Sequence, residues 1–122
     1  MTKILVIDDS DVIRNLLQEY LRDFGYDVEV AVNGREGIRM ATENEYAIVF
    51  CDLHLPRKSG YQVYKEVSVV KPDLKFIMTD SSPDQYSAMA REAGVYGYLT
   101  KPFNLDEVIQ TLQAALSETS VK

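Results

Sequence analysis

The chain has 122 residues, 26% charged and 46% hydrophobic, the size and composition of one ordinary globular domain, so disordered and fibrous classes are set aside. A net charge of -6, from 13 basic and 19 acidic residues, argues against direct nucleic-acid binding. No apolar run approaches membrane-spanning length, the run Ile4 to Ile7 is too short for a signal-peptide core, and one cysteine cannot form an intramolecular disulfide, so a cytoplasmic protein with no membrane partner is expected.

The first strand is Ile4-Leu5-Val6-Ile7, ending on Asp8-Asp9. Val12, Ile13, Leu16, Leu17, Tyr20, Leu21 and Phe24 then recur at helical spacing until Gly25. Val28, Val30 and Val32 alternate with Glu29 and Ala31, the pattern of a sheet edge, and a weaker helix over 35–44 is buried through Ile38 and Ala41. Tyr46 to Cys51 is an apolar run that stops on Asp52. A Pro- and Gly-bearing loop, 53–60, leads to a helix carrying Val63, Tyr64 and Val67. Phe76-Ile77-Met78 ends on Thr79, and Ser81-Ser82-Pro83-Asp84 predicts a helix start with Pro83 in the first turn. That helix has a thin apolar face, Met89, Ala90 and Ala93, and stops at Gly94. The fifth strand, Tyr98-Leu99-Thr100, runs into Lys101-Pro102, and Asn104 with Glu107 predicts a capping box for a last helix through Leu116. The polar tail from Ser117, above all 118–122, is expected to fray. With no repeat or linker, 1–122 is expected to be a single domain.

Five alternations of strand and helix predict an α/β fold, an open parallel sheet with helices on both faces. Ligands of such sheets bind outside the carboxyl ends of the strands, and there the pattern gathers Asp8, Asp9, Asp52, Thr79 and Lys101. Three carboxylates without His or Cys partners form a hard-oxygen set suited to Mg²⁺ or Mn²⁺, and Mg²⁺ commonly completes its shell with phosphate oxygens. Lys101 would neutralise a phosphoryl oxygen and Thr79 would donate to one. Cys51 lies inside an apolar run and is expected to be buried and inert.

Asp8-Asp9, Asp52 followed by Pro56 and Gly60, Thr79, and Tyr98-Leu99-Thr100-Lys101-Pro102-Phe103 together resemble the receiver domains of two-component response regulators, over essentially the whole chain. The resemblance implies a flavodoxin-like five-stranded sheet of order 2-1-3-4-5, the order of this family's chemotaxis member. It implies Asp52 as phosphoacceptor from a histidine kinase or histidine phosphotransfer protein. It also implies Asp9, Asp52 and the His54 backbone carbonyl as direct Mg²⁺ ligands, with Asp8 acting through water. Lys101 would pair with the phosphoryl group and precede a cis peptide bond to Pro102. Thr79 and Tyr98 would switch the face built from the fourth helix, fifth strand and fifth helix, so that an unidentified downstream protein docks around residues 83–101. Such a domain catalyses only its own phosphorylation and dephosphorylation and is not otherwise an enzyme. His54 and Ser81 would tune the dephosphorylation rate.

One departure stands out. The residue after the switch hydroxyl is usually Ala or Gly and here is Asp80, which is expected either to face solvent or to tune phosphorylation by charge. Leu55 and Lys58 are neutral variations, and the His54 ring is expected to be solvated. Two other classes remain open on sequence. Asp9-Ser10-Asp11 imitates the nucleophile and acid/base pair of Mg²⁺-dependent haloacid-dehalogenase phosphohydrolases, although that leaves Asp52 without a role. A receiver-like binding module that is no longer phosphorylated draws its only support from Asp80.

Overall fold

The strand β3 (Ile48–Asp52) is buried at every position, as a strand covered on both faces must be. It lies between β1 (Lys3–Ile7) and β4 (Lys75–Asp80), with β2 (Asp27–Ala31) and β5 (Gly97–Thr100) as the edges. All four pairings are parallel and the order is β2-β1-β3-β4-β5, the flavodoxin-like arrangement expected from the sequence. The crossovers carry α1 (Asp11–Asp23), α2 (Gly34–Glu43), α3 (Gly60–Val70) and α4 (Gln85–Ala93), and α5 (Leu105–Thr119) follows β5. These coordinates are a computed structural model that describes residues 2–119. No described helix is long and apolar enough to cross a membrane.

The pleat divides the core in two. Ile4, Val6, Ile48, Phe50, Ile77 and Leu99 pack with Leu17 and Leu21 of α1 and Val108 and Leu112 of α5. Leu5, Ile7, Val49, Cys51, Phe76 and Met78 pack on the opposite face with Ala41, Val63, Val67 and Ala90 of α2, α3 and α4. Successive strand residues point to opposite faces, so Asp52 and Thr79 continue the first series, while Asp80 continues the second, where Tyr98 also packs. Register fixes the neighbours: Asp52 is the partner of Thr79, and Ile7↔Cys51 carries Asp8 out beside Asp52.

Local chemistry sets the element ends. Ser10 caps α1 by accepting from the Ile13 amide, Ser59 and Gln62 form a reciprocal capping box on α3, and Asn104 accepts from the amides of Asp106 and Glu107 at the start of α5. Gly60 could carry no side chain, because a Cβ there would lie 2.3 Å from the Asp52 carbonyl oxygen and 2.8 Å from Leu53 Cα. That close approach seats the first turn of α3 directly against the end of β3. Gly94, at φ 108°, ends α4 in the left-handed conformation a glycine adopts without strain.

Several sequence expectations need correction. In α1 only Leu17 and Leu21 are buried, while Val12 and Phe24 are exposed, so the helical repeat was wider than the stripe that packs. Val32 lies beyond β2 and is exposed, whereas Ala31 is buried. Asp84 is the cap of α4, which places Pro83 before the helix rather than in its first turn. The face of α4 is as thin as expected, but its buried residues are Ser87 and Ala90; Met89 and Ala93 are exposed. Ser117 to Thr119, expected to fray, are helical, and 120–122 lie outside the described residues.

Candidate functional site

Asp52 ends β3 buried, with 6% of its surface exposed, and its Oδ1 accepts from the His54 amide at 3.3 Å. Asp8, beyond the end of β1, is also buried; its Oδ1 accepts from the Ser10 amide at 2.9 Å and its Oδ2 from Lys101 Nζ at 3.0 Å. Lys101 arrives from the end of β5, its peptide bond to Pro102 is cis as the resemblance implied, and its ammonium lies 3.6 Å from Asp52 Oδ1. Asp9 is exposed at the mouth of the crevice. One carboxylate oxygen from each of Asp8, Asp9 and Asp52 lies within 4.8 Å of the others. Thr79, buried, stands beside Asp52 in register. The five residues singled out at the strand ends are thus brought together at one edge.

Charge in this crevice is unbalanced, since three carboxylates face a single ammonium. Burial raises the Asp52 carboxyl above the ordinary aspartate range; Lys101 pulls it down, Asp8 pushes it up, and the His54 amide and Asp9 follow with smaller effects of opposite sign. Hard oxygens at this spacing, short of two compensating charges, fit a divalent cation such as Mg²⁺. Burial also pushes the Cys51 thiol up, consistent with an inert core cysteine.

The shift at Asp52 has a measurable sign. A carboxyl whose folded-state pKa is raised contributes its full stability below the unfolded pKa and loses it as pH rises through the folded value. Asp52→Asn keeps the shape without the charge, so at neutral pH and without divalent metal it should melt above the parent. The gap should close below about pH 4, where the unfolded carboxylate is protonated too. Thermal melts across a pH series check this, and a gap that widens in acid contradicts it.

Asp80 does not face solvent, the first of its two sequence expectations. It is fully buried and lies on the opposite face of β4 from Thr79, so it neither faces solvent nor points into the crevice. Its Oδ2 accepts from the Tyr98 hydroxyl and from Ser87 Oγ at 2.8 Å; its Oδ1 accepts from the Ser82 amide and lies 3.0 Å from His54 Nε2. Burial would push this carboxyl up, but Tyr98, Ser82, Ser87 and the His54 ring together hold it below the ordinary range. Burial, and then its bond to Asp80, raise the Tyr98 phenol in turn. The His54 ring is exposed, as expected, and it also reaches Asp80, stands 3.6 Å from Asp84 Oδ2 and meets the Tyr86 ring edge-on. Tyr98 is tied to Asp80 and covered by the Arg91 guanidinium at 4.2 Å. Ser81 is exposed beside this network. Ser87 was missed on sequence, where a serine in a thin helix face gave no signal of burial.

The phosphohydrolase imitation is not supported by placement, because Asp11 is the first residue of α1, is 83% exposed and pairs with Arg14.

Comparison with known proteins agrees with this geometry. The sequence matches the family model described as the response regulator receiver domain over residues 4–113. It is 34% identical over 117 residues to the transcriptional regulatory protein SrrA of Staphylococcus aureus, covering 96% of this chain and 48% of that protein. The chain therefore spans about half the length of the curated relatives it matches. A response regulator receiver domain protein from Clostridium thermocellum shares 27% identity at a TM-score of 0.94, covering 99% of this chain and 98% of that one. The response regulator TrrA of Thermotoga maritima, solved in complex with Mg²⁺-BeF, shares 32% identity at a TM-score of 0.84, covering 95% of this chain and 100% of that one. A match over nearly the full sheet, with the acidic strand ends in their places, makes this chain a member of the response regulator receiver domain family of two-component systems.

Proposed function

We propose that this receiver accepts a phosphoryl group on Asp52 from the phosphohistidine of a histidine kinase or a histidine phosphotransfer protein. The observation that carries the proposal is the setting of Asp52, a buried strand-end carboxylate within 3.6 Å of Lys101 and beside Asp8 and Asp9. An Asp52 carboxylate oxygen attacks phosphorus, the phosphorus–nitrogen bond of the donor breaks, and the imidazole leaves. Lys101, now shared with Asp8, is placed to turn toward a phosphoryl oxygen, and the Thr79 hydroxyl to donate to another. Asp8, Asp9, Asp52 and the His54 backbone carbonyl would hold Mg²⁺, with Mn²⁺ an acceptable substitute. When bound, the ion supplies the positive charge that three carboxylates and an incoming phosphate lack.

Beyond its own phosphorylation and dephosphorylation the domain has no enzymatic role in this proposal, and it works in the cytoplasm beside its kinase. His54 and Ser81, flanking the crevice, tune the lifetime of the phosphoryl group. Output passes to a downstream protein through residues around 83–101, where α4 offers little packing and hence low local stability. Asp80, the sole support for an unphosphorylated binding module, lies away from the crevice, so that reading loses its basis.

A beryllofluoride phosphate mimic with Mg²⁺ tests the proposal. It should bind the parent, fail to bind Asp52→Ala, and change amide shifts or hydrogen exchange chiefly in residues 79–101. Equal binding to Asp52→Ala contradicts the phosphoacceptor, and changes confined to the crevice contradict the switch.

A further inference from the structure

The polar contacts around Asp80 form a connection from the phosphoacceptor to the output face that does not pass through Thr79. Asp52 Oδ1 accepts from the His54 amide; the His54 ring, through Nε2, stands 3.0 Å from Asp80 Oδ1; and Asp80 Oδ2 accepts from the Tyr98 hydroxyl and from Ser87 of α4. Thr79 points to the other face of the sheet and takes no part in it.

The middle of this connection is stiff. A carboxylate is planar, so its oxygens cannot move independently. Here one oxygen serves His54 and the Ser82 amide while the other serves Ser87 and Tyr98. Asp80 is fully buried, so no solvent can replace a partner that withdraws, and losing one leaves a charged acceptor short of donors. Ser87 Oγ also accepts from the Asp84 amide at 2.9 Å, which ties the start of α4 to the same carboxylate. The His54 ring reinforces the link by its approach to Asp84 and its edge-on contact with Tyr86. A displacement of the His54 backbone, whose amide serves Asp52, is therefore delivered by the His54 ring to Asp80, and by Asp80 to Tyr98 and α4 together.

We infer that Asp80 is a positioning residue that transmits the state of Asp52 to Tyr98 through the His54 ring, a second route of coupling in this receiver alongside any that uses Thr79. The inference rests on Asp52 being the phosphoacceptor. It gives the residue that departs from the family pattern a mechanical role on the output side, in place of an electrostatic one in the crevice.

The test uses the protein labelled with fluorotyrosine, the Tyr98 resonance being assigned by its loss in Tyr98→Phe. Beryllofluoride with Mg²⁺ is titrated into the parent, Thr79→Ala, His54→Ala and Asp80→Asn, with binding followed separately by the fluoride signal of the bound mimic. His54→Ala removes an outlying ring but keeps the backbone amide and carbonyl that serve the crevice. Asp80→Asn keeps the shape but sets an NH₂ against donors on one side. The expected result is that Thr79→Ala keeps about half or more of the parent's Tyr98 shift change. His54→Ala and Asp80→Asn should bind the mimic yet lose most of that change. Should Asp80→Asn not fold, His54→Ala decides alone. A full Tyr98 response in His54→Ala, or its complete loss in Thr79→Ala, overturns the inference while leaving the phosphoacceptor in place. Failure of the parent to bind the mimic overturns the phosphoacceptor assignment, and this inference with it.

Discussion

Acetyl phosphate with Mg²⁺ is expected to place one acid-stable, alkali-labile phosphoryl group on the chain, and Asp52→Ala to carry none. The predicted loss is complete because, among the described residues, no other carboxylate shares the setting of Asp52. Asp8 has one oxygen bonded to the Ser10 amide and the other to Lys101, while Asp9 is exposed at the crevice mouth. Asp52 alone combines burial, a neighbouring ammonium and a register partner bearing a hydroxyl. Its raised carboxyl suits the chemistry, since a more basic oxygen is the better nucleophile. In the reaction the carboxylate oxygen bonds to phosphorus and acetate departs with the bridging oxygen, so no further reagent is consumed. Mass spectrometry of peptides from the labelled protein locates the group, and EDTA should prevent labelling. A phosphoryl group mapped to Asp9 that persists in Asp52→Ala would point back to the phosphohydrolase imitation.

Much of this site was legible because parallel strands deliver chemistry to one edge. The run Ile48 to Cys51 stops on Asp52, and the same pattern at Ile7 and Met78 is enough to gather Asp8, Asp9 and Thr79 from the sequence. Asp80 is misjudged when its place next to Thr79 is weighed and the pleat is not. Adjacent strand residues face opposite ways, so a carboxylate next to Thr79 is the one least able to enter the crevice from that strand. This part was available in the sequence. The partners of Asp80 were not, since they depend on the β4–β5 register Met78↔Tyr98 and on the burial of Ser87, which no periodicity encodes. His54 is exposed as expected, but its contact with Asp80 is illegible for a related reason: a lone loop histidine gives no sign of a carboxylate waiting on the next strand. Along α1 and its C-cap, Val12 and Phe24 extend the apolar repeat past Ile13, Leu17, Tyr20 and Leu21, which reach the core, because spacing identifies a face but not its width.

Lys101→Ala should destabilise the metal-free protein by about 3 kcal/mol, roughly 10 °C in melting temperature for a domain of this size. Among the described residues the Lys101 ammonium is the only cation paired with the Asp8 and Asp52 carboxylates, at 3.0 and 3.6 Å, and both carboxylates are almost wholly buried. Removing one partner of a buried ion pair leaves the other charge without compensation, which costs far more than the intact pair contributes. Here two carboxylates lose their shared partner and keep their mutual repulsion. Mg²⁺ should therefore stabilise the variant by more degrees than it stabilises the parent, the metal replacing the missing charge. Asp9→Ala, which removes an exposed member of the same cluster, should go the other way: unchanged or higher stability without metal, and a smaller gain from Mg²⁺. Acidification should narrow the deficit of Lys101→Ala, since a protonated Asp52 needs no cation. Melting curves of the three proteins with EDTA and with Mg²⁺ check the ordering. Equal stabilisation of all three by Mg²⁺ would mean that the ion binds somewhere other than among Asp8, Asp9 and Asp52.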